Sequence, residues 1–479
     1  MRLVHRYPSR LNSLRRIFVC VALLAFVIQP VIAAGRSRSA RGPKIKPNVL
    51  FIISDDLNTS LGCYGHPLVK TPHIDRLATR GVRFDLAYCQ APVCNPTRAS
   101  CFSGLLPETI GVLDNKTSWP DRLENSQYMP RYFREQGYFT GTIGKVLDHG
   151  RVPKQPFWDL EIPEWGKHPE SSQIVEQGGV PSEISTYWAP LNVEDEATGD
   201  GDVARRATVA LEQLSGKQQP FFLAVGFRRP HAPYAAPSRY FDQYPLESIA
   251  LPQEPPGHLK SILPAAKNGL IYNSARAIQT LRAYYACISF MDAQVGILLE
   301  MMDQLGLWEN TIVVFVSDHG YHTGHHGMWH KQTLFEQGAR VPLIVAAPGK
   351  RGNVACRRLV EILDLYPTLT DYCGLETPEA LEGTSLVPLL EDPQRPWKPA
   401  AVTIEGRIVK ATGKRTVTGH SVRTERYRYT EWDGGQQGIE LYDHATDPQE
   451  FVNLAQQSTH TETVSRLKTL LRTRLPNVR

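Results

Sequence analysis

Five short apolar runs, rich in β-branched residues, punctuate this 479-residue chain. They are NVLFII (48–53), YFTGTI (138–143), FFLAVGF (221–227), TIVVFV (311–316) and VPLIVAA (341–347). Runs this short and this continuously apolar suit strands buried on both faces, as in a parallel sheet. Amphipathic stretches lie between them: HIDRLATRG (73–81), YMPRYFREQG (128–137) and IQTLRAYYACISFMDAQVGILLEMMDQLG (278–306). The first two end in glycine, a common helix stop. The alternation predicts an α/β fold, a mostly parallel sheet sandwiched by helices. Residues 152–200, rich in Pro, Trp, Glu and Gly, read as long loops. After residue 390 the texture changes. AAVTIEG and HSVRTERYRYTEWDG read as antiparallel strands, and TETVSRLKTLLRTRL as a closing amphipathic helix. The expected division is a main domain over 47–390 and a small C-terminal α+β subdomain over 391–479.

The N-terminus has its own signature. MRLVHRYPSRLNSLRR carries five arginines and no acid, and IFVCVALLAFVIQPVIAAG comes next, apolar and ending in small residues. This reads as a signal peptide over 1–34, cut near Ala33 or Ala34, with a basic linker over 35–46. Gln29 and Pro30 interrupt the run and leave it short for a bilayer span, which disfavours an uncleaved anchor. No other stretch reads as a membrane span. The expectation is an exported protein (periplasmic, secreted or in a lysosome-like compartment) with no stable membrane partner. Losing the five leader arginines takes the formal charge from +5 to 0. The sequence pI of about 8.7 therefore reports leader and linker, and argues against a nucleic-acid partner. With 42% hydrophobic and 21% charged residues, long disorder and a multi-span membrane protein are excluded. Cleavage removes Cys20 and leaves seven cysteines, Cys63, Cys89, Cys94, Cys101, Cys287, Cys356 and Cys373. An odd number in an exported chain flags one with another job.

The residues just past the apolar runs carry the chemistry. NVLFII runs into Asp55 and Asp56; YFTGTI into Lys145, Asp148 and His149; FFLAVGF into His231; TIVVFV into Asp318, His319 and Lys331. Open parallel sheets bind ligands beyond the carboxyl ends of their strands. One such residue is an ordinary helix cap, but four strand ends together are not. Converging Asp55, Asp56 and Asp318 would repel without a cation, and oxygen ligands favour Ca²⁺ or Mg²⁺; one of the adjacent aspartates could instead cap a turn. Lys145, Lys331 and Arg98 suit a multi-oxygen anion, sulfate or phosphate. In APVCNPTRASCFSG (91–104), Pro96 fits a first helical turn. Cys94 then sits at a helix N-terminus, where the dipole favours negative charge, with Arg98 one turn above. HTGHHGMWH invites a zinc reading through His322, His325, His326 and His330. The nearby aspartates suit a hard ion better, and the alternative is a histidine-rich loop with His326 structural.

These blocks together resemble the sulfatase family. CNPTR matches its Cys-x-Pro-Ser/Thr-Arg core, and SGLLPETIGV continues its Gly-x-x-Pro segment. SDDLN, GK, PHAP, SDHG, HHGMWHK and RVPLIV occur in the family's order, and ILDLYPTLTDYCGL and ELYDHATDPQEFVNLA extend the match. SDHG, FFLAVGFRRPHAPY and GARVPLIV look like the iduronate-2-sulfatase branch. The resemblance implies an alkaline-phosphatase-like fold and a sulfuric ester hydrolase, acting on 2-O-sulfated uronic acid residues of a sulfated saccharide. It implies that a formylglycine-generating enzyme converts Cys94 to formylglycine, leaving six cysteines. Asp55, Asp56, Asp318 and His319 would hold one Ca²⁺ together with residue 94. Arg98 would orient the hydrated aldehyde, Lys145 and Lys331 would grip the sulfate, and His231 would sit at the ester oxygen. The branch places a histidine three residues after its Gly-Lys lysine. Here that position is Asp148, and His149 is the expected base, because an added acid beside sulfate would repel it. The loops at 152–200 and 232–275 would shape the sugar pocket, with Arg228, Arg229, Tyr234 and Tyr321 as candidate contacts. The rival readings are an arylsulfatase, a choline-sulfatase, a phosphate or phosphonate ester hydrolase, and a glycan-binding protein with unconverted Cys94.

Overall fold

The computed structural model describes residues 46–119, 128–148, 157–163, 178, 187–268, 274–408 and 416–475. The leader and all but the last residue of the linker lie outside them. The main sheet has eight strands: β1 (Asn48–Asp55), β2 (Val82–Tyr88), β3 (Phe139–Gly144), β4 (Leu160–Ile162), β5 (Phe221–Pro230), β6 (Thr311–Ser317), β7 (Arg340–Ala346) and β8 (Val354–Glu361). Their order is β8-β2-β7-β6-β1-β5-β3-β4. Neighbours pair parallel except β7, which is antiparallel to both β6 and β2. VPLIVAA is thus a strand, but the one that runs against the rest.

The continuous apolar runs divide by the two-residue period of a strand. On β1, Leu50 and Ile52 enter one core, while Val49, Phe51 and Ile53 enter the other. On β6, Val313 and Phe315 go one way, and Ile312, Val314 and Val316 the other. The first core is closed by α1 (Pro72–Arg80), α3 (Gly199–Ser215) and α4 (Ser274–Gln304), the second by α2 (Cys94–Ser103). By length and composition Arg276–Gln304 is apolar enough to cross a membrane, contrary to the sequence reading. Its most apolar window is 78% buried, because it packs across the sheet.

Two strands escaped the pattern. VRFDLAY (β2) and VACRRLVE (β8) carry charges where β2 and the edge strand β8 are only half covered. Short strands at Leu160–Ile162 and Trp188–Leu191 lie in the segment read as loops. The seven cysteines are free thiols, Cys63 half-buried and the others buried. Their odd number therefore says nothing about pairing.

The second sheet is antiparallel throughout: β9 (Ala401–Ile408), β10 (Thr416–Arg423), β11 (Tyr427–Trp432) and β12 (Ile439–Asp443). α5 (Thr461–Arg474) packs Leu467 and Leu471 against it. The joint to the main sheet combines apolar packing, such as Leu106 and Leu363 against Val402 and Ile404, with buried polar contacts. Thr403 Oγ1 donates to the Cys89 carbonyl at 2.8 Å and the Ile404 N–H to that of Gln90 at 2.8 Å. Arg428, 1% exposed, donates from Nε to Glu450 at 2.6 Å and from its guanidinium to Glu336.

At the carboxyl ends of β3 and β5 the backbones nearly touch. Lys145 N–H donates to the Gly226 carbonyl at 2.9 Å. A Cβ on Gly226 would lie 2.1 Å from the Lys145 carbonyl oxygen, and Gly144 has φ 80. Only glycines permit this crossing. Gly226→Ala should cost about 1–3 kcal/mol by overpacking, read from denaturant unfolding. Arg428→Met removes the cation that Glu336 and Glu450 share, leaving them Tyr88, Arg423 and His444, and should cost about 3 kcal/mol, by the same measurement. Burial opposes ionisation of Glu450, yet Arg428 and His444 hold it down to about 2. A depressed carboxylate stabilises fully above its unfolded value and loses that stabilisation as pH falls through its folded value. Wild-type stability should therefore fall more steeply between the usual glutamate range and pH 2 than that of Arg428→Met.

Candidate active site

Strand ends β1, β3, β5 and β6 and the start of α2 converge on Cys94. α2 begins at Cys94 after an extended Val93, and all ten of its residues are buried. Asn95 fixes this start: its N–H donates to Asn115 Oδ1 (2.9 Å), its amide to the Asp114 and Thr117 carbonyls, and its Oδ1 accepts from Trp119 (2.9 Å). Pro96, in the first turn, gives up no hydrogen bond.

β1 turns sharply at its end, with Asp56 left-handed at φ 64. Three contacts hold that turn. Asp56 N–H donates to Asp318 Oδ1 (3.2 Å), Leu57 N–H to Ser317 Oγ (3.1 Å), and the Tyr284 hydroxyl to the Asp56 carbonyl (2.8 Å). Arg98, fully buried, locks the strand ends to the helix. Its Nε and one Nη reach Asp318 Oδ2 at 3.0 and 2.9 Å, and the other Nη donates to the carbonyls of Lys145 (2.5 Å) and Val146 (2.9 Å).

Cys94 Sγ lies 3.1 Å from Lys331 Nζ, 3.4 Å from Asp55 Oδ1 and 3.4 Å from His319 Nε2. One donor atom from each of Asp55, Cys94, Asp318 and His319 falls within 4.8 Å of the others, and the same holds for Asp56, Cys94 and His231. His319 Nδ1–H donates to the Gly320 carbonyl at 2.9 Å, which leaves the Nε2 lone pair facing the cluster. Lys145 Nζ bonds Asp55 Oδ2, and Lys331 Nζ is 2.5 Å from Asp56 Oδ1. His231 Nδ1–H donates to the Ala232 carbonyl (2.5 Å), and its Nε2 is 3.9 Å from Asp56 Oδ2.

The electrostatics are those of a dry, charge-balanced pocket. Burial opposes ionisation of Asp55, but Lys145, His231, Arg98 and Lys331 outweigh it and hold the carboxyl well below its ordinary range. Burial raises Asp318 despite His319 and Arg98. Burial and then Asp55 push the Cys94 thiol up to about 12, against the pull of Lys331 and Lys145. The helix-dipole expectation for Cys94 is thus overridden: an unmodified Cys94 is a neutral thiol, not a thiolate nucleophile. The carboxylates with the imidazole Nε2 form a donor set that fits a hard divalent ion.

Other expectations need correction. Tyr321, a candidate sugar contact, is 1% exposed, stacked on Tyr284, with its hydroxyl 2.8 Å from that of Tyr234, which is also buried. Both belong to the core. Arg229 braces its own loop, donating to the Ala235 (2.7 Å) and His231 (3.0 Å) carbonyls. The N–H groups of Arg228 and Arg229 share Asp200. His322, His325, His326 and His330 do not converge, since His322 is held by Thr333 and the His325 carbonyl. His149 lies outside the described residues. Tyr284 and Asn95 support the site without having signalled it. Tyr284 sits in an apolar helical stretch that reads as core, and Asn95 fills the variable place of its motif.

A profile described as Sulfatase matches residues 47–375, and one described as N-sulphoglucosamine sulphohydrolase, C-terminal, matches residues 324–476. The chain is 33% identical over 450 residues to a sulfatase of Formosa agariphila, covering 89% of this chain and 86% of that protein. It is 31% identical over 499 residues to iduronate 2-sulfatase of Homo sapiens, covering 86% and 90%. A solved 2-O GAG sulfatase superposes with TM-score 0.72 at 25% identity, over 90% of this chain and 92% of that one. With its alkaline-phosphatase-like sheet, its strand-end cluster around Cys94 and these matches along most of its length, the chain belongs to the sulfatase family and is a sulfuric ester hydrolase.

Proposed function

We propose that the enzyme removes 2-O-sulfate from uronic acid residues of sulfated saccharides after export by its leader, with Cys94 converted to formylglycine by a formylglycine-generating enzyme and one Ca²⁺ at the carboxylates. The observation that carries this is the placement of Cys94 Sγ within 3.1–3.4 Å of Lys331, Asp55 and His319, at a protonation state useless to a thiol nucleophile. The names of the human and GAG-directed relatives support the 2-O assignment. A hydrated formylglycine supplies two geminal hydroxyls, one to attack sulfur and one to release sulfate, which a serine or cysteine lacks. A calcium ion held by Asp55, Asp56, Asp318 and His319 supplies positive charge for that hydroxyl and for the sulfuryl oxygens.

The chain's own residues do the rest. Lys145 and Lys331 now neutralise Asp55 and Asp56. With a divalent ion on those carboxylates, both ammonium groups would be available to an anionic sulfate ester, and the pocket would stay nearly balanced. Arg98 is committed to Asp318 and two carbonyls, so it positions the site rather than binding substrate. His231, its Nδ1–H fixed on Ala232, turns Nε2 toward the pocket; burial pushes the free imidazole down to about 4, so it protonates the departing sugar oxygen only as the imidazolium that a bound sulfate ester helps to hold.

Mass spectrometry of natively produced protein should find residue 94 as formylglycine. A defined oligosaccharide panel should lose 2-O-sulfate in preference to other positions. Loss of 6-O-sulfate alone, or turnover of phosphate esters alone, would overturn the reading. Lys331→Ala should lower kcat/KM by about 10²–10³ through lost stabilisation of the sulfuryl oxygens. His231→Ala should lower turnover of saccharide sulfates by about 10²–10⁴ but of an activated aryl sulfate far less, because a good leaving group needs no proton.

A further inference from the structure

A second cluster of ligand-type side chains lies away from Cys94. Glu254, His258 and His326 each offer a donor atom within 4.8 Å of the others. His258 Nε2 is 2.8 Å from His326 Nδ1 and 3.5 Å from Glu254 Oε2. His258 Nδ1 faces the Phe451 carbonyl at 3.0 Å, a pure acceptor, so Nδ1 carries the proton and Nε2 a lone pair. Glu254 accepts the His326 N–H through Oε1 at 2.6 Å.

The proton count exposes what is missing. If His326 carries its proton on Nδ1 and donates it to His258, three buried atoms stay without partners: Glu254 Oε2, His326 Nε2 and Oε1 of the neighbouring Gln337. Buried polar atoms without partners are rare and point to an unseen water or ion. If the proton sits on Nε2 instead, it faces the Gln337 side. His258 Nε2, His326 Nδ1 and Glu254 Oε2 then direct three lone pairs at one point, which requires a cation. A proton on His258 Nε2 would serve His326 Nδ1 but leave Glu254 Oε2, 3.5 Å away, without a hydrogen bond, whereas a metal ion serves all three atoms. His326 is also left-handed, at φ 58 between Gly324 and Gly327, a conformation that persists where surroundings dictate it. Gln253, His325, Gln337 and Phe451, neighbours of the three ligands, line a cleft of about 830 Å³.

We propose that Glu254, His258 and His326 bind a divalent transition-metal ion of the zinc class, at a site separate from the Asp55 centre. Two imidazoles and one carboxylate suit Zn²⁺ and its neighbours, not Ca²⁺. Tetrahedral ligation needs the two nitrogens to part from 2.8 Å to about 3.3 Å, a small adjustment. The ion ties the 254–258 segment to the turn that leads to Lys331, while His258 keeps its bond to the C-terminal region at Phe451.

The test uses the full-length enzyme in calcium buffer, loaded with Zn²⁺, freed of excess ion by gel filtration and analysed for metal content. One zinc per chain is expected, with visible ligand-field bands of four-coordinate geometry when Co²⁺ replaces it. His258→Gln and Glu254→Gln should each lose that equivalent and the bands while keeping wild-type circular dichroism. Asp55→Asn should keep both. Should His258→Gln fail to fold, Glu254→Gln, at a half-buried position, decides alone. No retained zinc in the wild type, or undiminished zinc and cobalt bands in Glu254→Gln, would overturn the proposal.

Discussion

A fully buried guanidinium sets the geometry of this enzyme. Arg98 leaves the first turn of α2 and meets Asp318 at the end of β6 and the carbonyls after β3, with Asp55 of β1 3.5 Å away. A charge buried so deeply is tolerable only if every direction is answered. Here the answers come from three strand ends, with one Nη left to ion-pair contact alone, and pairing Arg98 brings those ends to the cysteine one turn below. Fold stability and site assembly are therefore one requirement: the residue that would be most costly to leave unpaired is also the one that gathers the chemistry.

The same logic extends to the other charges. Three largely buried carboxylates face three cationic side chains, and each lysine is parked on a carboxylate oxygen that a hard ion would take. The side chains of Lys145 and Lys331 are 16% and 13% exposed, whereas Arg98 is sealed. On the reading proposed above, these two lysines, and not Arg98, would exchange a protein partner for a substrate oxygen.

Much of this was legible in the sequence, and the exceptions have physical causes. The doubly buried strands announced themselves as continuous apolar runs, and the functional residues sat where a parallel sheet puts them, just past the strand ends. Half-covered β2 and β8 carry charges, so pattern alone could not find them. Tyr321 follows the SDH of its motif and invited a binding role, but backbone direction turned its ring into the core beside Tyr284. Cysteine parity misled because a large apolar core can hold thiols without pairing them. The pairing of His258 with His326 joins positions 68 residues apart, and no local spacing encodes it.

The loop that delivers Lys331 shows how far such a site depends on backbone that is not regular. His326, His330 and Gln332 all hold positive φ, with Gly324 and Gly327 between or beside them. Left-handed residues turn the chain sharply on either side of Lys331. The Gln332 N–H donates to the Pro92 carbonyl at 2.9 Å, two residues before Cys94, and so registers the lysine loop directly on the cysteine turn. Asn268 adds a bond to the Lys331 carbonyl at 3.1 Å. A flexible side chain is thereby given a fixed origin. The 3.1 Å separation of Nζ and Sγ is consequently a property of the backbone as much as of the lysine rotamer. This is why the turn around His326, though it contributes no group to the reacting centre, belongs to the machinery that aims one.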